Sequence, residues 1–180
     1  MVIGGSQGAQ AINDAILKVL PDLLTTYDIV HQVGTNNLED MKKVTASLLQ
    51  NHQYKDRYYI EGFIDVALFY PKVDMAITRA GSMIFELALW QLPMVVIPIP
   101  ETVSRDQRSN AYTAASLGIA TVIEEGNLSS LVLMNEIKRI LDDPAVYAKM
   151  SEHCKALDNG REAASVIARE IIRIGLSHYN

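Results

Sequence analysis

The sequence predicts an α/β domain, an open parallel sheet of about six strands with helices on both faces. Three observations lead there. Short apolar runs suited to strands buried on both sides alternate with segments of helical period. A glycine-rich turn, Gly4-Gly5-Ser6-Gln7-Gly8-Ala9, joins the first such run directly to the first helical segment. The 180 residues are 49% hydrophobic and 21% charged, ordinary values for one globular domain with a full core.

The first strand covers residues 1–3. Beyond the glycine turn, Ile12, Ile16, Val19 and Leu20 recur at helical spacing, and this helix is expected to end near Pro21. Strands follow at 28–33 and 58–63, with a helix over 37–50 between them. A fourth strand at 75–78 leads into a short helix over 82–90. That helix is apolar all round, as suits one packed tightly on a sheet. The fifth strand spans 94–98. A helix over 106–117, closed by Gly118, connects it to the sixth at 120–123. Only helices remain. Leu133, Ile137, Ile140 and Leu141 line one, Asp142-Asp143-Pro144 breaks the chain, and the last spans 161–177. It carries Ala164, Ile167, Ala168, Ile171, Ile172 and Gly175 on a 3.6-residue period. No repeat, low-complexity tract or internal linker interrupts this order.

Composition removes several classes of function. A net charge of −5 and the lack of a dense Lys/Arg stripe argue against nucleic acid as a partner. The single cysteine, Cys154, cannot form an internal disulfide, which fits a reducing compartment. No apolar run is long enough to span a membrane, and the N-terminus lacks the pattern of a signal peptide. A cytoplasmic protein is expected, with peripheral membrane contact open. His31 lies in a strand and reads as a satisfied core residue. His52, His153 and His178 are scattered, and no pair has metal-ligand spacing, so neither metal nor cofactor is expected.

Strand, glycine turn and helix in that order build an anion site. Glycines allow positive φ and close backbone approach, while the helix start supplies free N–H groups and a favourable dipole. The same residues allow other readings. Gly4-x-Ser6-x-Gly8 matches the nucleophile elbow of α/β-hydrolases, and a plain tight turn needs glycines for packing alone. A dinucleotide fingerprint fails on glycine spacing, and Asp28 stands at the start of the next apolar run instead of its end.

Ligands of such sheets bind beyond the carboxyl ends of the strands, where four segments should meet. They are the glycine turn, Phe63-Ile64-Asp65, Arg79-Ala80-Gly81-Ser82 with Glu86, and residues 105–111. The second turn offers further backbone N–H groups for phosphate. Glu86 can accept two hydrogen bonds from a vicinal diol, and its apolar neighbours favour a buried carboxylate with a partner. Its alternative is helix-dipole complementarity, worth only about 0.3–1 kcal/mol. Gln107 and Asn110 share a helix face, and their amides suit sugar hydroxyls; capping by Asp106 with solvated amides behind it is an equal alternative.

These motifs, with His31-Gln32-x-Gly34 and Gln107-x-x-Asn110-Ala111, resemble the C-terminal half of the MurG family in order and over nearly the whole chain. The family transfers N-acetylglucosamine from UDP-N-acetylglucosamine to undecaprenyl-pyrophosphoryl-muramyl-pentapeptide, lipid I, giving lipid II for peptidoglycan. The resemblance implies a GT-B glycosyltransferase: two Rossmann-like domains facing a cleft, the C-terminal one holding the donor. By position, Gly5, Ser6, Gln7 and Gly8 would contact the diphosphate and Ile64 would hold uracil through its backbone. Arg79, Gly81, Ser82 and Met83 would form the second phosphate turn. Glu86 would bind the ribose, Gln107 the sugar hydroxyls, and Asn110 would support that loop.

Two local departures accompany the resemblance. The stretch from Gly81 to Glu86 is one residue shorter than the commoner form, and Arg105-Asp106 stands where the family often has Asp-His. On this reading residues 1–180 are one donor-binding domain and the N-terminal acceptor domain is absent, whether in the same full-length chain or a separate subunit. That domain would carry the base, the lipid site and the contact with the inner membrane. The chain alone is expected to be inactive and to self-associate through the apolar face of its last helix. A serine hydrolase using Ser6 and a non-catalytic nucleotide-sugar-binding module are the alternatives.

Overall fold

The computed structural model describes residues 1–5, 8–103, 105–156 and 163–177. Six short parallel strands form one sheet: β1 (Val2–Ile3), β2 (Ile29–Gln32), β3 (Tyr58–Glu61), β4 (Ala76–Thr78), β5 (Met94–Val96) and β6 (Ala120–Val122). Their order is β3-β2-β1-β4-β5-β6. β1 is central, pairing Val2 with His31 on one side and with Ile77 on the other. The order reverses between β1 and β4, which leaves a crevice at their carboxyl ends. Every predicted strand is present, each trimmed at one or both ends, and Val33, Ile97 and Ile123 just beyond three of them still donate across the sheet.

Seven α-helices lie among the described residues, besides five single-turn 3-10 helices: α1 (Gln10–Leu24), α2 (Leu38–Leu48), α3 (Met83–Leu89), α4 (Arg105–Ser116), α5 (Ser130–Leu141), α6 (Pro144–Ala156) and α7 (Ala163–Ser177). Alternation along the strands divides the core into two. Val2, Ile77 and Val95 face α1 and α5, where Ile12, Ile16, Leu20, Leu133, Ile137 and Ile140 pack. Ile3, Ala76, Met94 and Val96 face α3 and α4, with Ile84, Leu87, Ala111 and Ala114. Helices therefore cover both faces. Helix α6 serves both cores, placing Met150 in the first and Cys154 in the second. Burial pushes the Cys154 thiol up to about 11, as suits a packing residue.

One boundary differs in kind. Helix α1 continues past Pro21 for another turn, because Leu23 and Leu24 are buried in the first core. Proline removes one helical hydrogen bond there, and burial of two leucines outweighs that loss. Gly118 does end α4, with φ of 73°. Helix α7 keeps its predicted apolar stripe, but Val166, Ile167, Ile171 and Ile172 are 51–65% exposed.

Candidate functional site

The glycine turn leaves β1 at the crevice. Gly4 is required by packing, since a Cβ there would lie 2.5 Å from the Ala9 nitrogen. Gly8 is required twice over: its φ is +78° and a Cβ would stand 2.1 Å from the Val33 carbonyl oxygen. Gly5 has φ of +85° and nothing within 4 Å of where a Cβ would be. Its backbone therefore borders open space, as close ligand approach demands. The turn is closed by Gly8 N–H donating to the Gly5 carbonyl at 3.0 Å. Helix α1 begins with no side-chain cap and no acidic residue in its first turn, so its dipole is not met from within. Ser6 and Gln7, central to the sequence reading, lie outside the described residues.

A second open glycine turn stands across the crevice, its helix differing from α1 in carrying Glu86 in the first turn. A methyl added at Gly81 would likewise meet no atom within 4 Å, and Ser82 begins α3 without a side-chain cap. The first bonds of that helix run from Ile84 N–H to Gly81 and from Phe85 N–H to Ser82, which leaves the N–H groups of Ser82 and Met83 ahead of the ladder. Arg79 has a different task from phosphate contact. Its guanidinium donates to the carbonyls of Ile97 and Pro98 at 3.1 and 3.3 Å and pairs with Glu125 at 2.5 Å. It thereby ties the end of β4 to the loop after β5.

Glu86 is exposed, against the expectation of burial. The helical period sends Ile84, Leu87 and Ala88 into the core and turns Phe85 and Glu86 outward. The carboxylate does have a partner: the buried Tyr70 donates its hydroxyl to Glu86 Oε2 at 3.0 Å. Burial, and then the Glu86 charge, push the Tyr70 phenol upward, so it remains a donor at neutral pH. Tyr70 in turn stacks on Trp90, with ring centroids 5.8 Å apart.

The remaining predicted residues converge on the same edge. Asn110 donates to the Ala80 carbonyl at 3.2 Å, holding α4 against the second turn. Gln107 Oε1 accepts from Ile99 N–H at 3.4 Å. Ile64 is buried, and its N–H donates to Gln32 Oε1 at 3.0 Å. Of its two backbone groups, the carbonyl is the one with no donor among the described residues.

His31 is no base. The Asn13 amide donates to Val33 O, so its oxygen accepts from His31 Nε2, and the bare Nδ1 accepts from the Tyr58 hydroxyl. Burial pushes the imidazole down to about 3, keeping it neutral. Sequence alone assigns no role to Gln32 or Tyr70. A glutamine within an apolar strand was the available signal for the first, since buried amides require partners.

Strand order and crevice define a doubly wound α/β domain of the kind that holds nucleotides beyond the carboxyl ends of its strands. A family profile described as the glycosyltransferase family 28 C-terminal domain matches residues 1–169. The chain belongs to that family, and its architecture is that of a GT-B C-terminal domain.

Two curated relatives carry the name UDP-N-acetylglucosamine–N-acetylmuramyl-(pentapeptide) pyrophosphoryl-undecaprenol N-acetylglucosamine transferase. The protein of Shouchella clausii (strain KSM-K16) is 34% identical over 149 residues, 82% of this chain and 40% of its own length. Transferase 2 of Bacillus cereus (strain ATCC 10987 / NRS 248) is 33% identical over 172 residues, 94% of this chain and 46% of its own. The crystal structure of Acinetobacter baumannii MurG superposes with a TM-score of 0.68 at 26% identity, covering 88% of this chain and 44% of that one. The chain thus spans less than half the length of these relatives. None of these comparisons supports a hydrolase built on Ser6.

Proposed function

We propose that this chain binds UDP-N-acetylglucosamine and forms the donor wall of an inverting N-acetylglucosaminyl transfer to lipid I. The observation that carries this is the pairing of two open glycine turns, at Gly5 and Gly81, each leading into a helix start without a side-chain cap across the switch-point crevice. Such a pair suits a diphosphate, which needs N–H donors on two sides. The Ile64 carbonyl would accept from uracil N3–H, which cytosine lacks. Glu86, oriented by Tyr70, would take the ribose diol, and Gln107 the sugar.

In transfer, the muramyl 4-hydroxyl attacks the anomeric carbon, the bond to the UDP oxygen breaks, and charge develops on the diphosphate. Fixed backbone dipoles at the two turns stabilise that charge without reorganising. The base and acceptor site belong to the acceptor half of the enzyme, which would work at the cytoplasmic face of the membrane. Among the described residues no helix is long and apolar enough to cross one. Calorimetry tests the donor assignment. UDP and UDP-N-acetylglucosamine are expected to bind in preference to NAD, ATP and GDP-sugars, and NAD or ATP binding as well as UDP would sink it.

A further inference from the structure

We propose that Gln32 is the positioning residue of this site, a single buried amide that sets the glycine turn and the base segment in register with each other. The role rests on the nucleotide reading above. Gln32 is 2% exposed at the end of β2. Its Nε2 donates to the Gly5 carbonyl at 2.9 Å, and its Oε1 accepts from Ile64 N–H at 3.0 Å. The Gly5 carbonyl is also the acceptor that closes the turn from Gly8. Gln32 therefore bonds directly to the carbonyl on which the turn's shape depends.

Strand order explains why a side chain is needed. β2 lies between β1 and β3, so the turn after β1 and the segment after β3 share no ladder. Backbone pairing of Gln32 with Ile3 and Glu61 ends where both loops begin. Beyond that level its amide is the link across them. A nucleoside diphosphate has a rigid base and a charged tail whose separation is set by the ribose. A site that presets the distance between its two ends avoids ordering them on binding. The amide is suited to this because it donates with one atom and accepts with the other.

Two near-isosteric variants separate positioning from mere packing. Gln32→Met removes both bonds. Gln32→Glu keeps the acceptor for Ile64 in either protonation state, but donates to Gly5 only when protonated. UDP and uridine are titrated against the 180-residue chain and both variants at about pH 5.5 and about pH 8.5, either side of the raised pKa expected of a buried carboxyl. Gln32→Met is expected to weaken UDP at least about tenfold, the scale of one to two lost hydrogen bonds, and to weaken uridine as well. Gln32→Glu is expected to match wild type at the lower pH. At the higher pH it should lose about tenfold for UDP with little change for uridine.

Amide exchange of the ligand-free protein reads the bridge itself. Ile64 N–H should be protected in wild type and Gln32→Glu and exposed to exchange in Gln32→Met. Unchanged UDP affinity in Gln32→Met overturns the role, as does equal loss of UDP and uridine by Gln32→Glu at both pH values. Should Gln32→Met not fold, the pH split in Gln32→Glu decides. A protected Ile64 in a wild type that binds no UDP overturns the nucleotide reading and this function with it. A fast-exchanging Ile64 in a wild type that does bind UDP overturns the positioning role alone.

Discussion

Glu86 shows how one residue's neighbours in sequence and in space can differ. Its apolar sequence context pointed to burial, yet its side chain is exposed and held by a tyrosine sixteen positions earlier. If the carboxylate takes a ribose diol, Glu86→Gln should weaken UDP several-fold, since hydrogen bonds to a charged group are worth roughly 1.5–3 kcal/mol. Tyr70→Phe should cost less, about 1 kcal/mol, because the carboxylate persists and only its orientation is freed. Calorimetry with a dideoxyribose analogue of UDP completes the test: wild type and Glu86→Gln should then bind alike. A deficit that survives loss of both hydroxyls would make Glu86 a helix-dipole carboxylate. The candidate residues Glu86, Gln107 and Asn110 were legible because each sits in a local motif. Tyr70 and Gln32 were not, because their roles come from partners in other segments that only the folded sheet brings near.

At the scale of elements, the two positive-φ glycines of the first turn make different demands. Either one replaced by alanine takes on a left-handed penalty of about 1–2 kcal/mol. Gly8→Ala also drives a methyl into the Val33 carbonyl, so its total cost should reach roughly 3 kcal/mol or more in urea denaturation. Gly5→Ala meets no protein atom and should lose only the smaller amount. Its methyl fills the space a phosphate would approach, so UDP binding should fall even though the protein remains folded. Wild-type UDP affinity in Gly5→Ala would remove the turn from the site. The elements themselves were legible from periodicity, and the strands erred only at their ends. The course of α1 through Pro21 was not, because a local rule about proline competes with burial of Leu23 and Leu24, and burial is a property of the assembled core.

For the molecule as a whole, the strand order makes one edge of the sheet the place where the described candidate side chains gather. Two of the described histidines are already engaged by the fold: His31 is buried and neutral, and His153 lies against the Gly118 carbonyl. Transfer needs donor, acceptor hydroxyl and base within reacting distance. The chain alone is expected to bind UDP-N-acetylglucosamine without transferring sugar to lipid I, and an acceptor half supplied in trans or by fusion should restore turnover. Efficient transfer by the 180-residue chain would overturn the division of labour. The exposed stripe of α7 belongs to this scale too. A helical period identifies an apolar face, whereas what covers that face depends on surfaces outside the helix.

Trp90 is the only tryptophan in the sequence, half exposed and stacked on the ring whose hydroxyl holds Glu86. All indole emission from this protein therefore comes from one fluorophore, two contacts away from the carboxylate proposed to meet the ribose. Occupation of that carboxylate changes the electrostatic surroundings of the Tyr70 phenol and, through the stacked rings, of the indole. The domain thus carries an intrinsic optical probe beside the carboxylate proposed to bind the donor, readable without any label.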